Sequence, residues 1–176
     1  MKSLDKILAA CKKNKAWAQA ELFERYSDNM FGTCLYYSDN KSDAEDLLQD
    51  GFLHVFSNIG KYKQDNFEAW MRRVFINLAL MKFRKNKLSI QQLNEEEIIE
   101  VGSDLDGNAQ LNADDLMMII AELPQQYKLV FNLYAIEGYK HREIAEMLDI
   151  SEGTSKSNLS RARNILQKRL NEFDNK

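Results

Sequence analysis

The sequence holds a single proline, Pro124, and only seven glycines in 176 residues. Those two residue types punctuate strand-rich proteins with turns, so their scarcity beside long runs of helix formers excludes a sheet architecture and predicts an all-α chain. There are two cysteines, Cys11 and Cys34, far apart and without metal-ligand spacing. They exclude a disulfide framework and a zinc site, and read as buried free thiols suited to a reducing compartment. The two histidines, His54 and His141, supply neither a di-iron helix motif nor a nucleophile–base pair. The expected catalytic and metal-ligating sets are therefore empty, and a helical enzyme is the least favoured class. The longest apolar run, residues 116–123, is short and interrupted by Glu122, too little for a bilayer span. With scattered apolar residues and no cleavage-like segment near the lysine-rich start, the expectation is a soluble, cytoplasmic protein.

A net charge of −3 opposes nucleic-acid binding until it is divided along the chain. Residues 1–90 hold 15 Lys+Arg against 11 Asp+Glu (+4), residues 91–122 none against 9 (−9), and residues 123–176 9 against 7 (+2). This pattern suggests two mildly basic modules joined by an acidic connector, and it makes the whole-chain charge a poor guide to partners. The expected division is a domain over 1–90, a linker over 91–112 and a second domain over 113–176.

Helix period, turn chemistry and charge agree best near the C-terminus. Ile144, Met147 and Leu148 share one side of a helix starting at His141, and Ala145 is small enough for a second helix to cross closely. Asp149-Ile150-Ser151 forms the turn: Asp149 takes the position often given to glycine, Ile150 is an apolar plug, and Ser151 is an N-cap. From Glu152 to about Leu170, one stripe (Ser155, Leu159, Ala162, Leu166, Leu170) faces inward and another (Lys156, Ser157, Ser160, Arg161, Asn164) faces outward. Such a pair is a helix-turn-helix, whose second helix enters the DNA major groove. Lys156, Ser157, Ser160 and Arg161 carry the groups that bond base edges and phosphates. The competing reading is that Lys156, Arg161 and Arg163 only keep a surface helix soluble.

Earlier in the chain, a first helix is expected near residues 4–10 and a second over residues 15–37. The second should bury Trp17, Ala20, Leu22, Phe23, Tyr26, Met30, Phe31, Cys34 and Leu35. Ser42 with Glu45 reads as a capping box for a helix over residues 43–59 that buries Leu47, Leu48, Phe52, Val55, Phe56 and Ile59. Gln49 and Asp50 lie past its first turn, where an acidic residue no longer just answers the helix dipole, and are available to a partner. Residues 60–66 form a loop in which Lys61, Lys63, Asn66 and Tyr62 suit an unstacked base. The helix that follows, over residues 67–87, is expected to bury Trp70, Val74, Leu78 and Met81. Its other side would present Arg73, Asn77, Arg84, Lys85 and Lys87 as a basic strip.

Periodicity fades over residues 88–112, which reads as a flexible acidic tether with a helical turn around residues 95–99. The run 104–108 has an incomplete calcium-loop pattern, so the tether is preferred. Helix returns over residues 113–122 and again over 125–136, the latter burying Val130, Phe131 and either Leu133 or Tyr134. Gly138 ends it.

As a set, residues 43–50, Phe67-Glu68-Ala69-Trp70 with the basic helix after it, Leu123-Pro124, Ile144-Ala145-Glu146, residues 151–157 and Ser160-Arg161-Ala162-Arg163 resemble the extracytoplasmic-function sigma factors of the sigma-70 family. The resemblance implies two helical domains joined by a linker and no cofactor. It assigns Gln49 and Asp50 to the clamp helices of the largest subunit of core RNA polymerase. It gives Lys61, Lys63, Asn66, Arg73, Asn77 and Arg84 to the −10 promoter element and Lys156, Ser157, Ser160 and Arg161 to the −35 element. An anti-sigma factor is a further implied partner. The alternative is a helix-turn-helix regulator that binds DNA without polymerase, its N-terminal helices serving as a dimer or ligand-sensing module.

Overall fold

A computed structural model describes residues 3–63, 66–90 and 118–174, and among these all regular structure is helical. The N-terminal helices are α1 (Leu4–Cys11), α2 (Ala16–Tyr37), α3 (Lys41–Asn58) and α4 (Phe67–Ile90), with a 3-10 turn at Ile59–Lys61. After a helical turn at residues 118–121 come α5 (Gln125–Phe131), which continues as a π-helical segment (Asn132–Ile136), then α6 (His141–Leu148) and α7 (Glu152–Asp174). The chain divides into two compact units, Met1–Lys82 and Phe83–Lys176. Among the described residues no helix is long and apolar enough to cross a membrane. Of the tether expected over residues 88–112, residues 88–90 are instead the end of α4, and residues 91–112 lie outside the described residues.

In the first unit α1 and α3 pack on α2, and Ile7, Leu22, Met30, Leu47, Val55, Met71 and Phe75 are buried. Phe52 is the hub of an aromatic cluster, with ring centroids 4.7 Å from Phe23, 5.5 Å from Phe75 and 5.9 Å from Phe56. Gly51 lets the Phe75 ring lie against the α3 backbone, since a Cβ there would overlap that ring.

Several expectations need correction. The cap of α3 is Asn40, not Ser42: its side-chain carbonyl accepts from Asp43 N at 2.9 Å while its amide donates to the Asp43 carboxylate at 2.8 Å. Starting two residues earlier adds helix without losing a good cap. On α2, Leu22, Met30 and Cys34 are buried, but Trp17, Ala20, Phe23 and Leu35 are exposed. Apolar residues surround that helix more widely than the neighbours that cover it. On α4 the buried stripe is Phe67, Met71, Phe75, Ile76, Ala79, Leu80 and Phe83, whereas Trp70, Val74 and Leu78 are half-buried and Met81 is exposed. Two adjacent stripes at helical spacing are both apolar, so the period fixes the helix but not its rotation.

Both cysteines are buried and free. Burial pushes both thiols up, that of Cys34 to about 12 despite the opposing charge of Lys82. Since the thiolate is the reactive species, Cys34 should resist Ellman's reagent at about pH 8 in the folded protein and react once the unit unfolds. Its folded-state pKa lies above the ordinary thiol value of 9.0, so the folded state holds the proton longer than the unfolded chain. This contribution to stability is intact below that value and lost as pH rises from there toward about 12. Rapid stoichiometric labelling of native Cys34 would contradict this account.

Candidate nucleic-acid interface

The second unit places a helix-turn-helix over residues 141–174. Ile144 and Leu148 of α6 are fully buried, and α6 ends at Asp149, which adopts the left-handed conformation (φ 54°, ψ 54°). The amide of Ile150 then closes back on the Ala145 carbonyl at 3.1 Å. Asp tolerates this conformation better than most non-glycine residues, so the turn forms without glycine. Ser151 caps α7: its hydroxyl oxygen accepts from Thr154 N at 2.9 Å and lies 2.8 Å from the Thr154 hydroxyl. At the other end of α6, the Glu143 carboxylate accepts from the Lys140 backbone N–H at 2.8 Å.

Ser155, Leu159, Ala162 and Leu166 are buried, as the stripe predicts. Ala162 and Leu166 join Ile119, Ile120 and Leu123, with Tyr127, Phe131, Ile165 and Leu170 packed around them. Ser155 is a polar residue on this stripe whose Oγ lies 3.0 Å from His141 Nδ1, which satisfies a hydroxyl that burial would otherwise penalise.

On the opposite side Lys156, Ser157 and Ser160 are exposed, whereas Arg161 and Asn164 are half-buried. Lys156 Nζ pairs with the Glu152 carboxylate at 2.7 Å, one turn earlier. That partner holds the Glu152 carboxyl below its usual range. Solvent screens an exposed pair of this kind, so it is too weak to withhold Lys156 from a phosphate. The Ser157 hydroxyl donates to the Thr154 carbonyl at 3.0 Å, leaving its oxygen able to accept. Thus α7 offers a cation and two hydroxyls on one open face, with Arg161 at its edge.

Simple helical period does not reveal the π-helical segment within residues 125–136. Its wide closures, Glu137 N to Asn132 O at 3.0 Å and Tyr139 N to Leu133 O at 2.9 Å, bury Asn132 and Leu133 and leave Tyr134 exposed. Of the two candidates for burial, Leu133 is therefore the core residue. Tyr134 stacks on His141, with centroids 4.7 Å apart and planes 22° apart, and the Arg163 guanidinium lies 5.7 Å from the Tyr134 ring centre. Sequence periodicity misses this group, since the helix breaks at Gly138 between positions 134 and 141 and Arg163 lies on another helix.

In the first unit, Lys61 and Lys63 are exposed. Lys61 Nζ donates to Asn58 Oδ1 at 2.9 Å, and the Asn66 side-chain carbonyl accepts from Ala69 N at 3.0 Å. Asn66 therefore starts α4. Beneath this loop the Tyr62, Phe67 and Trp70 rings gather, with centroids 5.2 to 5.6 Å apart. Arg73 and Asn77 are exposed one turn apart on α4, whereas Arg84 is half-buried, its Nε enclosed without a hydrogen-bond partner among the described residues. The strip is therefore open at Arg73 and Asn77 and partly closed at Arg84. Arg72, absent from the expected strip, donates to the Thr33 hydroxyl at 2.7 Å and ties α4 to α2. The side chain of Lys87 lies outside the described residues. Gln49 and Asp50 are both exposed on α3, and Asp50 pairs with Lys82 at 2.7 Å.

Two family models match the sequence: Sigma-70 region 2 over residues 22–88 and Sigma-70, region 4 over residues 113–166. The chain is 30% identical over 153 residues to the ECF RNA polymerase sigma factor SigE of Mycolicibacterium smegmatis, covering 84% of this chain and spanning 59% of that protein's length. It is 26% identical over 183 residues to the ECF RNA polymerase sigma factor SigW of Bacillus subtilis, covering 97% of this chain and 98% of that one. Its fold is similar to that of the sigma factor RpoE from Bartonella quintana, solved in complex with the anti-sigma factor NepR. There the TM-score is 0.50 at 22% identity, over 85% of this chain and 94% of that chain.

Proposed function

Because this chain belongs to the sigma-70 family, in its extracytoplasmic-function group, we propose that it binds core RNA polymerase and directs promoter-specific transcription initiation. It works in the cytoplasm, where that polymerase is, and has no catalytic residues of its own. The observation that carries this reading is the open face of α7, where Lys156, Ser157 and Ser160 stand opposite a fully buried stripe. A helix merely kept soluble needs no turn partner holding it at a fixed angle, whereas a helix that enters a groove does.

In this reading residues 113–176 form the −35 domain, with Lys156, Ser157, Ser160 and Arg161 contacting the duplex. Residues 1–90 form the −10 domain, and residues 91–112 link the two. Lys61, Lys63, Arg73 and Asn77 track the backbone, Asn66 adds amide donors, and Arg84 sits at the margin. A base extruded over the loop must recover the few kcal/mol lost on unstacking, and the aromatic rings of Tyr62 and Trp70 supply a surface for it. Gln49 and Asp50 face the clamp helices of the polymerase largest subunit. Asp50 exchanges Lys82 for a partner there, at little cost for an exposed pair. An anti-sigma factor is the expected antagonist, as for the Bartonella protein.

The test is in vitro transcription with core RNA polymerase and a library of genomic fragments. Transcripts that start at discrete sites only when this chain is added are the expected result. A chain that binds palindromic duplexes as a dimer, yet neither associates with core enzyme nor supports initiation, would replace this reading with the polymerase-independent regulator.

A further inference from the structure

The Tyr134–His141–Arg163 group lies outside the contacts assigned above. His141 opens α6 and touches two other parts of the second unit: its ring stacks on Tyr134 of the π-helical segment and its Nδ1 meets the buried Ser155 hydroxyl of α7, while Arg163 of α7 reaches over the same Tyr134 ring. Lys156 is the next residue after Ser155. His141 and Arg163 thus share the Tyr134 ring, and Lys156 and Arg163 on α7 both act electrostatically on the His141 imidazole. On the reading that α7 enters the major groove, the first helix of the pair crosses the sugar–phosphate backbone, so a phosphate passes near the start of α6. We infer that His141, Lys156 and Arg163 form one phosphate-binding position, which His141 joins by taking up a proton when the duplex arrives.

The charges around the ring give the direction. From α7 it faces Lys156, Arg163 and Glu152; Tyr134 lies against it from the π-helical segment; Lys140, Arg142 and Glu143 are its neighbours along the chain, and Glu143 is committed to the Lys140 amide. Partial burial, together with Lys156 and Arg163, holds the free imidazole below its ordinary value, with Glu152 opposing. The free protein therefore keeps His141 neutral, and the Ser155 hydroxyl can donate to Nδ1. Protonation reverses that hydrogen bond without breaking it, because a hydroxyl also accepts. What changes is net charge: a third cation beside Lys156 and Arg163 is unfavourable alone and favourable against a phosphate.

Binding therefore raises the His141 pKa, and the complex holds a proton that the free protein does not. Affinity rises as pH falls through the window between the bound and free values, by at most about tenfold per pH unit, and is flat on either side. The inference rests on the assignment of α7 to DNA, and the experiment separates the two. Holoenzyme assembled from the full chain and core polymerase is titrated, between about pH 6 and about pH 8, with a promoter fragment recovered by the transcription assay. The same titration is made with His141→Asn, whose amide oxygen stands near the Nδ1 position but does not titrate, and with His54→Asn, which removes the other histidine. In parallel, ring resonances of the free full chain give the His141 pKa. The expected result is a pH-dependent affinity retained in His54→Asn and flattened in His141→Asn, with a free His141 pKa below the usual histidine range. An unchanged slope in His141→Asn, or a flat profile in the unmodified protein, overturns the inference while leaving α7 on the DNA. Binding that survives unaltered when Lys156 and Arg161 are both replaced removes α7 from the DNA, and the inference falls with it. If His141→Asn does not fold, the unmodified holoenzyme decides alone by proton uptake, measured as the change in binding heat between buffers of different ionisation enthalpy. No uptake counts against the proposal, and about one proton supports it.

Discussion

Replacing Lys156 and Arg161 together with alanine should weaken promoter binding by the holoenzyme about 100-fold, or about 2.7 kcal/mol, while co-elution of the chain with core polymerase is unchanged. Each bond to a base edge or phosphate is worth about 1–3 kcal/mol, and the two side chains lie more than one helical turn apart on α7, so their losses should nearly add. Two effects oppose each other at Lys156. Its pair with Glu152 must be exchanged for DNA, but that pair is exposed and screened, so giving it up costs less than the bond to DNA returns. Without Lys156, however, Glu152 is left as an uncompensated carboxylate facing phosphates, and the loss grows. Salt dependence separates the roles: removing a phosphate contact lowers the slope of log affinity against log salt by about 1, whereas removing a base contact leaves the slope and relaxes sequence preference. Arg161 is half-buried, so its alanine variant also loses packing. Arg161→Lys keeps charge and most of the stem, and it should preserve the salt slope even where specificity falls. Loss of polymerase association in these variants would remove α7 from the DNA-reading role.

The second large effect is expected at Gly51. In an open helix Gly→Ala is stabilising by about 1 kcal/mol, because glycine gives up more backbone freedom on folding. At this position the added Cβ would overlap the Phe75 ring, which is buried and held edge-on by Phe52. Overpacking a well-filled core costs about 1–3 kcal/mol, so steric conflict outweighs propensity and the Ala variant should be destabilised by about 1 kcal/mol. Gly51→Leu should prevent the first unit from folding, since a flexible side chain has no space between α3 and that ring. The two tryptophans, Trp17 and Trp70, both lie in this unit, so tryptophan fluorescence reports its unfolding separately from the rest of the chain. Adding Phe75→Leu should recover part of the loss in Gly51→Ala by removing the ring that the methyl meets. A higher melting temperature for Gly51→Ala alone would show that α3 and α4 do not approach as closely as described.

How much of this was legible without coordinates depends on whether the deciding interaction is local. The helix-turn-helix was: α6 runs from His141 to Leu148 as expected, Ser151 caps α7, and the stripe of Ser155, Leu159, Ala162 and Leu166 is buried. In each of these a residue acts on others within one or two turns, and short-range spacing records such relations. The membership of α4's inner face was not legible. Trp70, Val74 and Leu78 make as good a stripe as Met71, Phe75 and Leu80, and the choice is made by α2 and α3, which lie dozens of residues away. The same limit explains Arg72, whose partner Thr33 is on another helix.

By itself, then, the sequence determined that the chain is helical, where most helices begin and end, and which faces of α6 and α7 turn inward, because propensity, capping and amphipathic period act between near neighbours. Tertiary structure alone decided how α4 is rotated, why position 51 is glycine, and that Tyr134, His141 and Arg163 meet. Those outcomes rest on side chains brought together from distant parts of the chain, and no one-dimensional spacing encodes which of several apolar or cationic residues will find each other across a packed interface.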